Sequence, residues 1–249
     1  MNDAEFRLLD EIEEGHWWFV GKRLILRRLL ERINTGRMLD LGCGTGGVLR
    51  DWKGSGGSVG IDRSSLALQI CARRGFKTLA RGDLTRLPFR DRSFDTVLML
   101  DVIEHLEDDV GFVRNAARIC REGGLVVIAV PAFPSLWSQH DETFEHYRRY
   151  RRASLRAVAL EAGLEPERFT YTNSFLFPVA AVWRFVSYRL GVGRVAPKHD
   201  FWPIPRWLNG LLVQLYRVEA WLLGHLNLPA GVSVVCLARV PRKQKTAQG

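Results

Sequence analysis

Cysteine is scarce in this chain. Cys43, Cys71, Cys120 and Cys236 are the four among 249 residues, far apart and with no CxxC pair. That spacing speaks against a disulfide framework or a zinc site and fits a reducing compartment. Internal repeats and low-complexity tracts are absent. Basic residues are spread among Leu and Trp rather than drawn into a Lys/Arg stripe, so nucleic acid is not expected as a partner. The N-terminus MNDAEFRLLDEIEEGHWW is acidic and polar, shows no signal peptide, and fits a cytoplasmic protein. Long apolar runs are missing too. A spanning helix needs about 20 apolar residues, and Arg184, Arg189, Arg217 and Glu219 interrupt the two most apolar stretches before that. With 47% hydrophobic and 25% charged residues the composition is globular, which excludes disorder, collagen-like repeats and a coiled coil.

Negative charge is what the last third lacks. Residues 1–167 hold 25 Lys+Arg and 25 Asp+Glu, whereas residues 168–249 hold 11 and 2, so the net charge of +9 lies wholly in the latter. The same third carries 12 of the 26 aromatic residues, among them Trp183, Trp202, Trp207 and Trp221. The coincidence points to a localised surface that meets its own partner.

Apolar residues at spacings of three and four predict helices over 4–14 and 22–33, with the aromatic cluster His16-Trp17-Trp18-Phe19 between them. Short apolar runs then alternate with helical patterns. Strands are expected at 37–41, 58–61, 76–80, 94–100 and 125–130, and helices at 64–74 and 104–120. A helix at 152–162 stops at Gly163, and further strands follow at 167–171 and 232–240. Alternation at this spacing gives a parallel sheet covered on both faces. The chain thus divides into N-terminal helices that form a lid (1–36), a core (37–171 with 232–241) and a hydrophobic, basic helical insertion (172–231).

The chemistry is carried by Asp40-Leu41-Gly42-Cys43-Gly44-Thr45-Gly46, a glycine-rich turn directly after a buried strand. Such a turn lets backbone amides approach a ligand. Its spacing is D-x-G-x-G-x-G, not the G-x-G-x-x-G of dinucleotide-binding turns, and a carboxylate at its mouth suits a cation better than a phosphate. Asp62, at the end of the second strand, is placed to accept hydrogen bonds from a ribose diol.

Four ordered motifs, MLDLGCGTG (38–46), VGID (59–62), GDLTRLPF (82–89) and FDTVLMLDVIEHL (94–106), resemble those of class I S-adenosylmethionine-dependent methyltransferases over about residues 11–171. The resemblance implies a Rossmann-like α/β fold: a seven-stranded sheet of order 3-2-1-4-5-7-6, helices on both faces, and here an insertion between strands six and seven. It implies S-adenosylmethionine as cofactor, with Asp40, Gly42, Gly44 and Gly46 around the methionine part. Asp62, with Arg63 beside it, would take the ribose, and Asp83 and Leu84 the adenine edge. Leu100 and Asp101 would line the site by the sulfonium, and Arg23 would reach the cofactor carboxylate. The segment Asp101-Val102-Ile103-Glu104-His105 looks like its counterpart in ubiquinone-biosynthesis O-methyltransferases, some of which hold a divalent metal there. Asp101 stands where that group usually has Glu, which shortens the reach, and no metal is expected.

Methyl transfer from a sulfonium is an in-line displacement, so the protein must align the acceptor and, for a hydroxyl, take its proton. Candidate catalytic residues are His140, Asp141 and His146 in WSQHDETFEHYRRY (137–150), with Asp141 suited to orient an imidazole; equally, they pin the loop after the fifth strand. His16, Trp17, Trp18, His105, Arg148 and Tyr150 are the candidate acceptor contacts, although the tryptophans would also serve as core. The basic, Trp-rich insertion suggests a hydrophobic or lipid-linked acceptor and peripheral association with the inner membrane face. The alternatives are a cap or homodimer interface on an enzyme for a soluble natural product or sugar, and a non-catalytic cofactor-binding scaffold.

Overall fold

The computed structural model describes residues 3–52, 57–190 and 204–242. One sheet contains β1 (Met38–Leu41), β2 (Val59–Asp62), β3 (Leu79–Arg81), β4 (Phe94–Leu100), β5 (Cys120–Pro131), β6 (Glu165–Thr172) and β7 (Ser233–Arg239), in the order β3-β2-β1-β4-β5-β7-β6. Pairing is parallel from β3 through to β5, and β7 runs antiparallel to both β5 and β6. The expected seven-stranded Rossmann-like topology is therefore present. All four residues of β1 are buried, as are Val97, Leu98 and Met99 of β4, which is why the central strands read as unbroken apolar runs.

The helices are α1 (Asp3–Ile12), α2 (Trp17–Leu30), α3 (Ser65–Arg73), α4 (Asp109–Ile119), α5 (Gln139–Thr143), α6 (Arg152–Glu161), α7 (Phe177–Leu190) and α8 (Arg206–Leu223). Two expectations need correction. The aromatic cluster does not separate two helices: α2 begins at Trp17 with His16 as its N-cap, so the tryptophans form its first turn. The helix expected over 104–120 is broken. A 3-10 turn covers Ile103–His105, Leu106 is extended, and α4 starts afresh with Asp108 accepting the Gly111 amide at 2.7 Å.

α7 and α8 occupy the chain between β6 and β7, and much of the proline-bearing segment 198–206 lies outside the described residues. α8 is part of the core on one face of the sheet: Tyr216, Ala220 and Leu223 pack with Ile25, Leu26 and Leu29 of α2 and with Leu98, Val127 and Val235 beneath. α1 lies against α3 through Phe6, Ala67 and Ile70, with Asp10 paired to Arg73 and Arg74. None of the helices among the described residues is long and apolar enough to cross a membrane.

Candidate active site

The turn after β1 holds Gly42, Gly44 and Gly46 at φ of +76°, +52° and +82°, where L side chains are strained. At Gly44 an added Cβ would meet nothing within 4 Å, so the backbone there faces open space that a ligand can fill. Asp62 braces the turn: its Oδ2 accepts the Gly44 amide and its Oδ1 the Ser64 amide, each at 2.9 Å, and each oxygen keeps a lone pair for a diol. Burial, then the charges of Asp62 and Glu13, push the Asp40 carboxyl up to about 8. A buried carboxyl beside two other carboxylates is a site that a cation would relieve. Glu13, from the end of α1, accepts hydrogen bonds from Thr45 Oγ1 and Arg74, so the N-terminal helices clasp the turn.

Arg23 reaches back to the N-terminal helix. Its guanidinium donates to the Glu13 carbonyl at 2.8 Å and the Glu14 carbonyl at 3.2 Å, and so fastens the end of α1. Asp83 is exposed and accepts the Thr85 amide at 2.9 Å, a bond that lowers its pKa. The Gly82 amide bonds the Asp62 carbonyl, and Leu84 comes 3.7 Å from where a Gly42 Cβ would lie, which sets the 82–84 turn beside the glycine turn. Arg63 is exposed, and its carbonyl accepts from Arg81.

A second space of about 370 Å³ opens at the carboxyl ends of β4 and β5. Apolar residues of its lining include Leu8, Leu9, Trp17, Trp18, Leu176 and Ala180. Polar residues line it too: Asp101, Glu104, His105, His140, His146 and Arg149. Leu100 closes β4, and Asp101 follows in the left-handed region at φ +54°, its carboxylate paired with Lys22 of α2. Lys22 also sits 5.0 Å above the Trp18 ring, so one side chain of α2 joins the Trp18 ring to the β4 end. Strained backbone of this kind persists where the surroundings over-determine it and clusters at working sites.

Asp141 orients an imidazole, and that imidazole is His146. Asp141 is fully buried; its Oδ1 lies 2.9 Å from His146 Nδ1 and accepts from Arg149 Nε at 2.7 Å, while the Ser138 amide donates to Oδ2 at 2.8 Å. Burial opposes ionisation, but the bonds from His146 and Arg149 outweigh it and hold the carboxyl well below its usual range. His105 packs edge-on to His146 at 4.6 Å and is drawn down to about 4, by burial and then by His146. His140 lies 5.9 Å from His146 and 4.5 Å from Phe144.

Arg148 and Tyr150 correct the expected acceptor contacts, since neither lines the cavity. Tyr150 is 2% exposed, and its hydroxyl donates to Asp109 at 2.6 Å. Arg148 pairs with Asp109 at 3.1 Å and donates to the Glu107 carbonyl at 2.8 Å. Both lock the start of α4 to the loop after α5.

Glu104 is the residue that sequence reasoning undervalued, because it reads as an ordinary helix start. It is fully buried in the cavity lining, and neither carboxyl oxygen has a hydrogen-bond partner. Burial, then Asp101, raises its pKa well above the ordinary value, and its hydrogen-bonding capacity is unspent. Donor atoms of Glu104, His105 and His146 lie within 4.8 Å of one another, a set of ligand types that suits a divalent cation. Asp101, engaged by Lys22, is not in that group.

A parallel sheet with an antiparallel seventh strand, an acid-headed glycine turn and a cavity at the strand ends define a Rossmann-like methyltransferase. The comparisons agree. Residues 39–128 match the family model described as a methyltransferase domain. A demethylmenaquinone methyltransferase of Roseiflexus sp. is 34% identical over 185 residues, covering 65% of this chain and 74% of that one. A Mycolicibacterium smegmatis protein named "Probable S-adenosylmethionine-dependent methyltransferase" is 28% identical over 166 residues, 65% of this chain and 64% of that one. The first curated relatives are matched over about three fifths of their length. Among solved structures, a SAM-dependent methyltransferase from Archaeoglobus fulgidus superposes with a TM-score of 0.61 at 18% identity, covering 94% of this chain and 99% of that one, and shares the fold. The chain belongs to the class I S-adenosylmethionine-dependent methyltransferases, with S-adenosylmethionine as cofactor.

The Asp62→Ala protein is expected to bind S-adenosylmethionine at least about tenfold more weakly by calorimetry, since a bond to a charged group is worth roughly 1.5–3 kcal/mol. Unchanged affinity in a protein that still melts cooperatively would remove Asp62 from the ribose.

Proposed function

We propose that this protein methylates a hydroxyl on a hydrophobic or lipid-linked acceptor, working peripherally at a membrane surface. The observation that carries the reading is the mixed lining of the 370 Å³ cavity, which holds apolar side chains such as Trp17, Trp18 and Leu176 together with His146, itself held by a buried carboxylate. S-adenosylmethionine supplies the activated methyl group. The glycine turn with Asp40 and Asp62 binds it, and the cavity aligns the acceptor and keeps water out. With Nδ1 turned to Asp141, His146 offers Nε2 to take the hydroxyl proton, and Asp141 stabilises the imidazolium that forms. Glu104, with neither carboxyl oxygen bonded, offers a hydrogen-bonding site to a second polar group on the acceptor. The demethylmenaquinone methyltransferases among the relatives support acceptors with an apolar body and a polar head.

The second reading, a soluble natural-product or sugar acceptor, draws on Leu176 and, from α7, Ala180, which line the cavity as residues of a cap would. A screen of quinone, polyprenyl, glycolipid and free-sugar acceptors with methyl-labelled cofactor separates the two. Transfer to apolar acceptors only supports the first, and transfer to free sugars only overturns it. Label in no acceptor, despite cofactor binding, would favour a scaffold.

A further inference from the structure

α8 is apolar on two opposite faces. Tyr216, Ala220 and Leu223 are buried against α2 and the sheet, whereas Trp207 (71%), Leu211 (59%), Val218 (51%) and Trp221 (61%) stand exposed. The exposed set recurs at spacings of four, seven and three, which places it in one stripe along the helix. Core packing accounts for the first face, and among the described residues no helix or strand covers the second, where only the His225 ring lies beside Trp221. An exposed stripe of this size with two tryptophans marks an interaction surface.

A cavity of about 580 Å³ lies between α2 and α8, where the stripe ends. Trp221 belongs to both, and the walls carry Arg27, Arg28 and Arg217. Glu31 and Asp51 stand there as well, paired with Arg28 and, at 3.8 Å, with Arg27. Arg28 Nε is nevertheless buried without an acceptor, and Arg217 pairs with no carboxylate among the described residues, its guanidinium donating to Gln214 at 3.3 Å. Beyond residue 167 the chain holds only two carboxylates: Asp200 lies outside the described residues, and Glu219 is 2% exposed, accepting the Ser174 amide at 3.0 Å. The outward surface of α8 is therefore apolar and cationic.

We propose that this face docks on an anionic bilayer, with the tryptophans at the level of the headgroups and a lipid phosphate received by Arg28 and Arg217 in the adjoining cavity. Trp and Arg suit that depth, where rings bury their apolar bodies and guanidinium groups meet phosphate. A second copy of the chain would set cationic surface against cationic surface, which disfavours a dimer through this face. The proposal deepens the membrane reading above by naming the surface and the lipid charge it meets.

The test is co-sedimentation of the full chain with phosphatidylcholine vesicles, with and without phosphatidylglycerol. The wild type is expected to bind the anionic vesicles at least about tenfold more tightly, each basic residue near the surface adding roughly fivefold. Trp207→Ser with Trp221→Ser, and separately Arg217→Glu, are expected to lower that binding by about tenfold or more. Cofactor affinity should not change, since neither set touches the glycine turn. Wild-type protein that ignores both vesicles would overturn the membrane reading altogether. Wild-type binding that the variants retain would overturn only the assignment to α8. Self-association in the ultracentrifuge, abolished by the tryptophan changes and without vesicle binding, would make the face a dimer interface and overturn the proposal.

Discussion

Replacing His146 with asparagine is expected to lower methyl transfer by about 10²–10⁴-fold, the range lost with a positioned general base. Cofactor affinity should hold, because His146 lies on the acceptor side, among the residues of the 370 Å³ cavity and apart from the glycine turn. The decisive readout is the split between turnover on a hydroxyl acceptor and calorimetric affinity for S-adenosylmethionine. Equal turnover in wild type and variant would clear His146. The parallel change Asp141→Asn is expected to cost both turnover and stability. It removes the charge that faces Arg149, a side chain 2% exposed, and a buried charge stripped of its partner costs about 3–5 kcal/mol. The pH behaviour follows from the same pair. The folded pKa of Asp141 is depressed, so its contribution to stability is fully present above the ordinary carboxylate range and is lost as pH falls toward the folded value. Acid unfolding followed by circular dichroism should therefore begin at a higher pH in Asp141→Asn than in wild type.

The difference between His140 and His146 shows how far the sequence was legible. The pair His140-Asp141 is adjacent in the chain, and adjacency suggests that the carboxylate serves its neighbour. A capping geometry decides otherwise: Asp141 turns back to the Ser138 amide at the start of α5, and this places Oδ1 toward residue 146, five positions on. The central sheet, by contrast, was readable, because buried parallel strands such as β1 and β4 are continuous apolar runs, whereas the half-exposed β3 falls at 79–81 rather than at the expected 76–80. The glycine turn and Asp62 were readable because their backbone demands are local. Glu104, Lys22 and Arg149 were not. Lys22 matters through Asp101, 79 residues on, Arg149 through a loop that folds it back onto Asp141, and Glu104 through burial without a partner, none of which a spacing announces. Tyr150 misled for the same reason: its place in an aromatic, basic cluster suggested a ligand, whereas Asp109, 41 residues earlier, holds it in the core.

Cofactor affinity is expected to rise with pH, and Asp40 is the reason. Its carboxyl is pushed up to about 8 by burial, by Asp62 and by Glu13, so near neutral pH it is largely protonated. A cationic cofactor favours the ionised form, and binding must then release a proton. Below about pH 8 each unit of acidification should weaken binding by up to about tenfold, so that the loss between about pH 8 and about pH 6 approaches about 50-fold, and above that range the affinity levels off. The sign for stability is the opposite. A carboxyl whose folded pKa is raised contributes stability that is fully present below its unfolded pKa and is lost as pH rises through the folded one, so the cofactor-free protein should weaken toward pH 8, where bound cofactor restores most. Calorimetry in buffers of different ionisation heat reads the released proton directly. In Asp40→Asn the proton release and the pH slope should both vanish, with affinity low throughout. A variant that kept the wild-type slope would shift the titration to Asp62 or Glu13, the two other acids facing that buried carboxyl, and would remove Asp40 as the group that senses the positive charge of the cofactor.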